Sequence, residues 1–199
     1  MLELLSLVVA YLIGSIPFGY LLVKFTTGKD VRAGGSGNIG ATNVLRSTGR
    51  MAAVATLFLD IGKGYLAVWL AAQMTGQSPF WTSAAALAVM AGHAFPVFLN
   101  FKGGKAVASF IGAFLYLTPL PLAAVLLLFV ITVAITRHIS AGSLLAAATF
   151  PLGVWMILHP PEVVFLASLI AGGFIVYRHK SNLERLHAGT ENVFTWGRK

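Results

Sequence analysis

Hydrophobic residues gather into seven stretches separated by polar segments: 2–23, 51–72, 80–98, 106–117, 122–136, 140–158 and 163–177. A helix that crosses a bilayer needs about 20 predominantly apolar residues. The fourth stretch is too short to cross without its flanks. It either starts inside the bilayer boundary or forms one broken unit with the fifth around Thr118-Pro119-Leu120-Pro121. The pattern predicts an all-α integral membrane protein of about seven transmembrane helices, organised as a single transmembrane helical domain over 1–199.

The polar segments set the expected orientation. With seven spans, segments 24–50, 99–105, 137–139 and 178–199 share one face. That face carries Lys24, Lys29, Arg32, Arg46, Arg50, Lys102, Lys105, Arg137, Arg178, Lys180, Arg185, Arg198 and Lys199, which leaves only Lys63 elsewhere. The other face has Glu3, a neutral 73–79 segment, a proline turn and Glu162. The positive-inside rule puts the N-terminus outside and the C-terminus in the cytoplasm. Fusing the fourth and fifth stretches into one span would put the basic tail outside. The paired broken segments of transporters are not visible, and Gly104, Ala108 and Gly112 form a small-residue stripe suited to close helix packing.

Composition agrees with this picture. Of 199 residues, 57% are hydrophobic and 10% charged, against about a quarter charged in a soluble domain. That excludes an ordinary soluble enzyme and a disordered chain. The net charge of +8 reads as basic loops beside a membrane, with no nucleic-acid partner. Without cysteine there is no disulfide framework and no thiol nucleophile. The N-terminus lacks the basic start and cleavage site of a signal peptide.

Candidate chemistry lies on the basic face. Segment 33–46 contains Gly34, Gly35, Gly37 and Gly40, with Ser36, Asn38, Thr42, Asn43 and Arg46. Glycines let backbone amides turn toward one point. The polar side chains add donors, and Arg46 adds a fork suited to phosphate. The segment reads as an anion cradle. In the second segment, Gly103-Gly104-Lys105 is expected to open a helix, offering glycine amides and a cation to an anion. It is not a Walker A sequence. His93, near the end of the third stretch, is either a satisfied polar residue of the bundle or part of a ligand site. In the tail, His179 and Asn182 stand at i, i+3 and would share a helix face, while Lys180 and Arg185 suit a lipid anchor. Asp60 and Lys63, also at i, i+3, lie about 13–18 Å along the second stretch at 1.5 Å per residue. They read as a structural ion pair, or as an ion path, set apart by depth from the loops.

Several chemistries are missing. There is no acidic cluster for Mg²⁺, no H-E-x-x-H and no G-x-S-x-G. No metal and no cofactor are expected. His179 and Glu184 match a His-x4-acid spacing by chance, since the acid is a glutamate in a charged tail.

Gly35-Ser36-Gly37-Asn38-Ile39-Gly40-Ala41-Thr42-Asn43, Gly103-Gly104-Lys105, His179-x-x-Asn182 and Gly189-Thr190-Glu191-Asn192 together resemble the bacterial acyl-phosphate–glycerol-3-phosphate acyltransferase (PlsY) family. Leu59-Asp60-x-x-Lys63-Gly64 is similar to that family's second helix, and the likeness runs along essentially the whole chain. Ala106 stands where the family commonly has glycine, a departure expected to matter little unless the backbone there approaches a ligand.

The resemblance implies acyl transfer from acyl phosphate to the 1-hydroxyl of glycerol 3-phosphate at the cytoplasmic face, giving lysophosphatidic acid and phosphate. It implies a multi-pass protein of the bacterial cytoplasmic (inner) membrane, and a soluble acyl-phosphate-forming enzyme as a plausible partner. Ser36, Asn38, Thr42, Lys105, His179 and Asn182 are the expected catalytic set. Gly35, Gly37, Gly40, Asn43, Arg46, His93, Gly103, Gly104 and Ser143 are expected to bind substrate. Within these, Ser36, Gly37, Asn38, Thr42, Asn43 and the amides of Gly103 and Gly104 are expected at the acyl-phosphate head. Arg46, Lys105, His179 and Asn182, with Ser143, are expected at glycerol 3-phosphate. Asp60, Lys63 and Glu191 are expected to be structural, Glu191 by tying down the basic tail. The scarcity of bases favours the donor's own phosphate, over His93 or His179, as proton acceptor. The competing function is a transporter of a phosphate-bearing solute.

Overall fold

The computed structural model describes residues 1–195. Arg198 and Lys199 of the expected basic face lie outside the described residues. Every regular element described is helical, and the chain packs as two compact units, 1–113 and 114–195.

The first unit holds α1 (Leu2–Ser15), α2 (Phe18–Thr27), α3 (Ala41–Ser47), α4 (Arg50–Met74), α5 (Pro79–Ala94) and the start of α6 (Val107–Leu117), with short 3-10 turns at Val31–Ala33 and Val97–Leu99. The first apolar stretch is therefore not one helix. Pro17 has no backbone N–H and ends α1 before it. The Ile16 carbonyl at that break accepts a hydrogen bond from Lys63 Nζ at 2.7 Å. α1 packs closely on α5 through two glycines: a Cβ on Gly14 would overlap the Val89 carbonyl, and one on Gly92 the Tyr11 carbonyl. α4 and α6 meet in the same way, with Gly64 against the Ser109 carbonyl and Gly112 against that of Ile61. Gly112 thus fulfils the packing role expected of the small-residue stripe, whereas Gly104 lies before the helix.

The second unit holds the end of α6 with α7 (Pro119–Thr136), α8 (Ile139–Leu158), α9 (Glu162–Arg178) and α10 (Lys180–His187). α8 packs on both α7 and α9. Phe114 and Phe150 meet edge to face in the core, with centroids 4.8 Å apart. Leu127, Val130, Ile131 and Ile135 on α7 stay exposed. A water-soluble fold does not present such a contiguous apolar face, whereas a lipid-facing helix does.

Among the described residues, five helical segments are long and apolar enough to cross a membrane: Leu2–Thr27, Arg50–Met74, Pro79–Leu99, Pro119–Thr136 and Ile139–Leu158. A sixth results if Glu162–Arg178 and Lys180–His187, bent by 57°, count as one. Val107–Leu117 has 11 residues, too few to cross alone, as its stretch predicts. Two polar segments contain helices. Segment 24–50 contains α3, which buries Val44 and Leu45, and the tail contains α10.

Candidate active site

The first glycine segment is built around one side chain. Asn43, in α3, is 1% exposed. Its Oδ1 accepts from the Ser36 amide at 2.8 Å. Its Nδ2 donates to the carbonyls of Asn38 (2.8 Å), Val31 (2.9 Å) and Gly34 (3.2 Å). Gly35 passes so close that a Cβ would overlap Asn43 Oδ1, and its φ of +60° lies in the left-handed region. Asn38 Oδ1 accepts from the Gly40 amide at 2.9 Å, and the Gly37 amide donates to the Gly34 carbonyl.

Two expectations are corrected here. Asn43 does not extend a donor to a ligand, because its amide group is engaged inside the loop. The amides of Gly37 and Gly40 likewise close turns instead of forming an open cradle. Ser36 and Arg46 are exposed, and Thr42 half-buried, on this rigid frame. Arg32 lies beside it, paired with Asp30 (Nη2–Oδ2 2.7 Å, Nε–Oδ1 3.0 Å) and stacked 5.3 Å over the Tyr20 ring. The Arg32 hydrogen bonds hold the Asp30 carboxyl below its ordinary value. The sequence reading missed this pair; the short Asp-x-Arg spacing was its only signal.

The second segment also departs from expectation. Gly103-Gly104-Lys105 does not open a helix, since α6 begins at Val107. The Gly103 and Gly104 amides do not point to a ligand; they donate to the carbonyls of Ala94 and His93, at 3.2 and 3.0 Å. The segment is a strap laid along the end of α5. Glycine is required in it, because a Cβ on Gly104 would overlap the His93 imidazole and one on Gly103 the His93 carbonyl. Lys105 follows, half-buried. Ala106 is fully buried with φ of +61°, a conformation that strains an alanine. The departure at 106 therefore has a backbone consequence.

Below the strap, Asp60 Oδ1 lies 2.8 Å from Lys63 Nζ and 3.7 Å from His93 Nδ1, all three side chains being about 4% exposed or less. Asp60 and Lys63 are thus paired, but depth does not separate them from the loops: His93 joins them to the strap.

In the second unit, His179 sits at the bend between α9 and α10 and is 3% exposed. Its Nδ1 donates to the Ile175 carbonyl at 2.8 Å, so a neutral ring carries its lone pair on Nε2. Asn182 is 5% exposed, in the first turn of α10. His179 caps the start of α10 and Asn182 lies three residues on, both of them buried beside the bend. Glu191 gathers three donors: Asn182 Nδ2 (2.8 Å), Ser140 Oγ (3.1 Å) and Arg185 Nε (2.7 Å). Burial pushes the Glu191 carboxyl up, but these hydrogen bonds and the Arg185 charge outweigh it and leave the group below its ordinary value. The Phe194 amide donates to the Arg137 carbonyl, a second tie for the tail. Ser143 is buried one turn beyond Ser140 in α8. Ser140 was missed by sequence reasoning, although it is one helical turn before a residue that was chosen. Among the described residues no group of three or more His, Cys, Asp or Glu could hold a metal ion.

Comparison with known proteins bears on the whole chain. A family model described as glycerol-3-phosphate acyltransferase matches residues 4–189. A glycerol-3-phosphate acyltransferase of Geobacter sulfurreducens is 46% identical over 192 residues, covering 96% of this chain and 97% of its own. One of Trichlorobacter lovleyi is 47% identical over 93% of this chain and 94% of its own. Crystal structures of PlsY, an integral membrane glycerol 3-phosphate acyltransferase, are similar in fold. Its glycerol 3-phosphate form superposes with a TM-score of 0.91 at 35% identity, covering 97% of this chain and 96% of that one. Its lysophosphatidic acid form gives 0.89 at 33% identity, covering 98% and 96%.

Proposed function

The chain belongs to the glycerol-3-phosphate acyltransferase family, and from that premise we propose how this integral membrane enzyme acylates glycerol 3-phosphate to lysophosphatidic acid. The donor is acyl phosphate. The 1-hydroxyl oxygen of glycerol 3-phosphate attacks the acyl carbonyl carbon, the carbon–oxygen bond to phosphate breaks, and inorganic phosphate leaves. A mixed anhydride carries a good leaving group, so no enzyme nucleophile is required. The hydroxyl proton passes to an oxygen of the departing phosphate. His93 is enclosed by the strap and His179 is nearly fully buried, which supports the phosphate as acceptor.

The observation that carries this reading is the loop fixed by Asn43, which presents Ser36, Thr42 and Arg46 on a frame that binding need not reorganise. Preorganised donors of this kind stabilise charge developing in an acyl-transfer transition state. Ser36, Asn38 and Thr42 serve the acyl-phosphate head, while Arg46 and Lys105 serve the glycerol 3-phosphate anion. In the second unit His179, Asn182 and Ser143 serve the acceptor substrate. Gly35, Gly37, Gly40 and Asn43 act by shaping the loop.

The lysine and arginine pattern supports seven crossings with the N-terminus outside, the C-terminus in the cytoplasm and the protein in the bacterial inner membrane. A soluble enzyme that makes acyl phosphate would supply the donor. Phosphate release from palmitoyl phosphate by purified protein, with and without glycerol 3-phosphate, tests the donor. Release that requires glycerol 3-phosphate and yields lysophosphatidic acid supports it. Lysophosphatidic acid formed only from a thioester donor overturns it.

A further inference from the structure

The transfer mechanism leaves three buried titratable groups without a task. Asp60 and Lys63 on α4 and His93 on α5 meet at 2.8 and 3.7 Å about Asp60 Oδ1. Taking opposite charges out of water is costly, and apolar residues usually fill such a crossing at least as well. What sets these three apart is what they touch. Lys63 Nζ also donates to the Ile16 carbonyl at the α1–α2 break (2.7 Å) and lies 5.6 Å over the Phe18 ring at the start of α2. One residue further, Gly19 abuts the Ile39 carbonyl so closely that a Cβ would overlap it. Ile39 lies inside the first glycine segment. On the other side, the His93 carbonyl accepts from the Gly104 amide and its imidazole lies against Gly104, directly before Lys105. The trio therefore touches the supports of both glycine segments: α2 under the first and the strap of the second.

We propose that Asp60, Lys63 and His93 form a buried keystone that sets the two glycine segments against each other, making Asp60 a positioning residue that acts through His93 on Lys105. This rests on the transfer reaction proposed above. His93 accordingly acts as a support for the strap and does not contact substrate. Asp60 orients the His93 ring, the ring seats Gly104, and Gly104 sets the direction in which Lys105 leaves the strap.

A merely structural ion pair and a positioning device differ in how they couple to Lys105. The test is a double-mutant cycle on purified protein, reading kcat and KM for glycerol 3-phosphate with palmitoyl phosphate as donor, beside thermal unfolding midpoints. Asp60→Asn, the charge-free pair Asp60→Leu with Lys63→Met, and His93→Asn are each made with and without Lys105→Ala. Acting through Lys105, each is expected to raise KM about tenfold in the Lys105 background and less than about twofold once Lys105 is alanine. The charge-free pair is included because it avoids a buried unpaired charge and retains a near-wild-type midpoint. Any one of the three that folds completes a cycle. Losses that multiply unchanged in the Lys105→Ala background, a charge-free pair with wild-type KM and kcat, or three variants that all fail to fold would each overturn the proposal and leave the trio a structural element alone. If Lys105→Ala itself leaves transfer unchanged, the assignment of Lys105 fails as well, an outcome distinguishable because it appears without any change at Asp60.

Discussion

Asn43 and Glu191 do the same job in different units with opposite electrostatics. Each is a single side chain that gathers several partners and thereby shapes a polar segment. Asn43 is a neutral amide, 1% exposed, that serves one backbone amide and three carbonyls. Glu191 is a charged carboxylate that serves three side-chain donors, one of them the half-exposed Arg185. The amide can donate and accept at once, which suits a loop presenting both backbone donors and acceptors inward. The carboxylate only accepts, which suits a tail whose neighbours are donors. The first hub should be insensitive to pH and intolerant of any substitution; the second should be sensitive to pH and tolerant of near-isosteres.

The largest effect is expected from Asn43→Asp. The substitution keeps shape and the acceptor for the Ser36 amide, but turns a carboxylate on three carbonyl oxygens. Each buried polar group left unsatisfied costs about 1–3 kcal/mol. A loss of stability of roughly 3 kcal/mol or more and a fall in transfer rate of at least about a hundredfold are expected, read by thermal unfolding and lysophosphatidic acid formation. A mild phenotype would mean that the loop is held by something other than Asn43. Gly35→Ala comes next. Its Cβ meets Asn43 Oδ1 and its φ is positive, so a rate loss of about tenfold or more is expected from the same assay.

Glu191→Gln should be milder. The remaining carbonyl oxygen still accepts from Asn182 and Ser140, and only the charge-assisted bond to Arg185 is lost, a loss of about 1–2 kcal/mol. Acid should loosen the same hub. The Glu191 carboxyl is held below its ordinary value of 4.5. Its contribution to stability is therefore present above that value and is lost as pH falls through the lowered native value. Hydrogen exchange over 180–187 should accelerate in that window while the Ser36 and Gly40 amides keep their protection. Equal acceleration in both segments would remove the contrast. The smallest effect is expected at Ala106. Glycine there relieves left-handed strain but adds freedom to the unfolded chain, for a net gain of about 1 kcal/mol at most, read as a slight rise in unfolding midpoint.

The contrast also explains what the sequence made legible. The apolar stretches became helices because burial and lipid exposure act over whole turns, and hydropathy reports that average. The break at Pro17 escaped the reading of 2–23 as one stretch because hydropathy averages across it, and its consequence, a carbonyl met by Lys63 from another helix, has no sequence signal. Asn43 was chosen for its donors, but its partners lie 5, 9 and 12 residues back along the backbone. They are carbonyls that every residue carries, so no side-chain pattern marks them. The strap was misread for the same reason: glycine amides look available in a sequence, and only the fold places the His93 and Ala94 carbonyls opposite them. Glu191 was more legible because its partners are side chains. The link between Asp60 and the glycine segments required knowing that α5 brings His93 to the depth of Asp60.

The most direct test of the account compares substrate affinity across the two hubs. The affinities of a non-hydrolysable acyl phosphonate and of glycerol 3-phosphate are measured for wild type, Asn43→Ala and Glu191→Gln. The account predicts that Asn43→Ala loses the phosphonate by about a hundredfold, while Glu191→Gln keeps phosphonate affinity and weakens glycerol 3-phosphate. Phosphonate binding undiminished in Asn43→Ala would contradict it, because the loop that Asn43 builds would then not be what holds the donor.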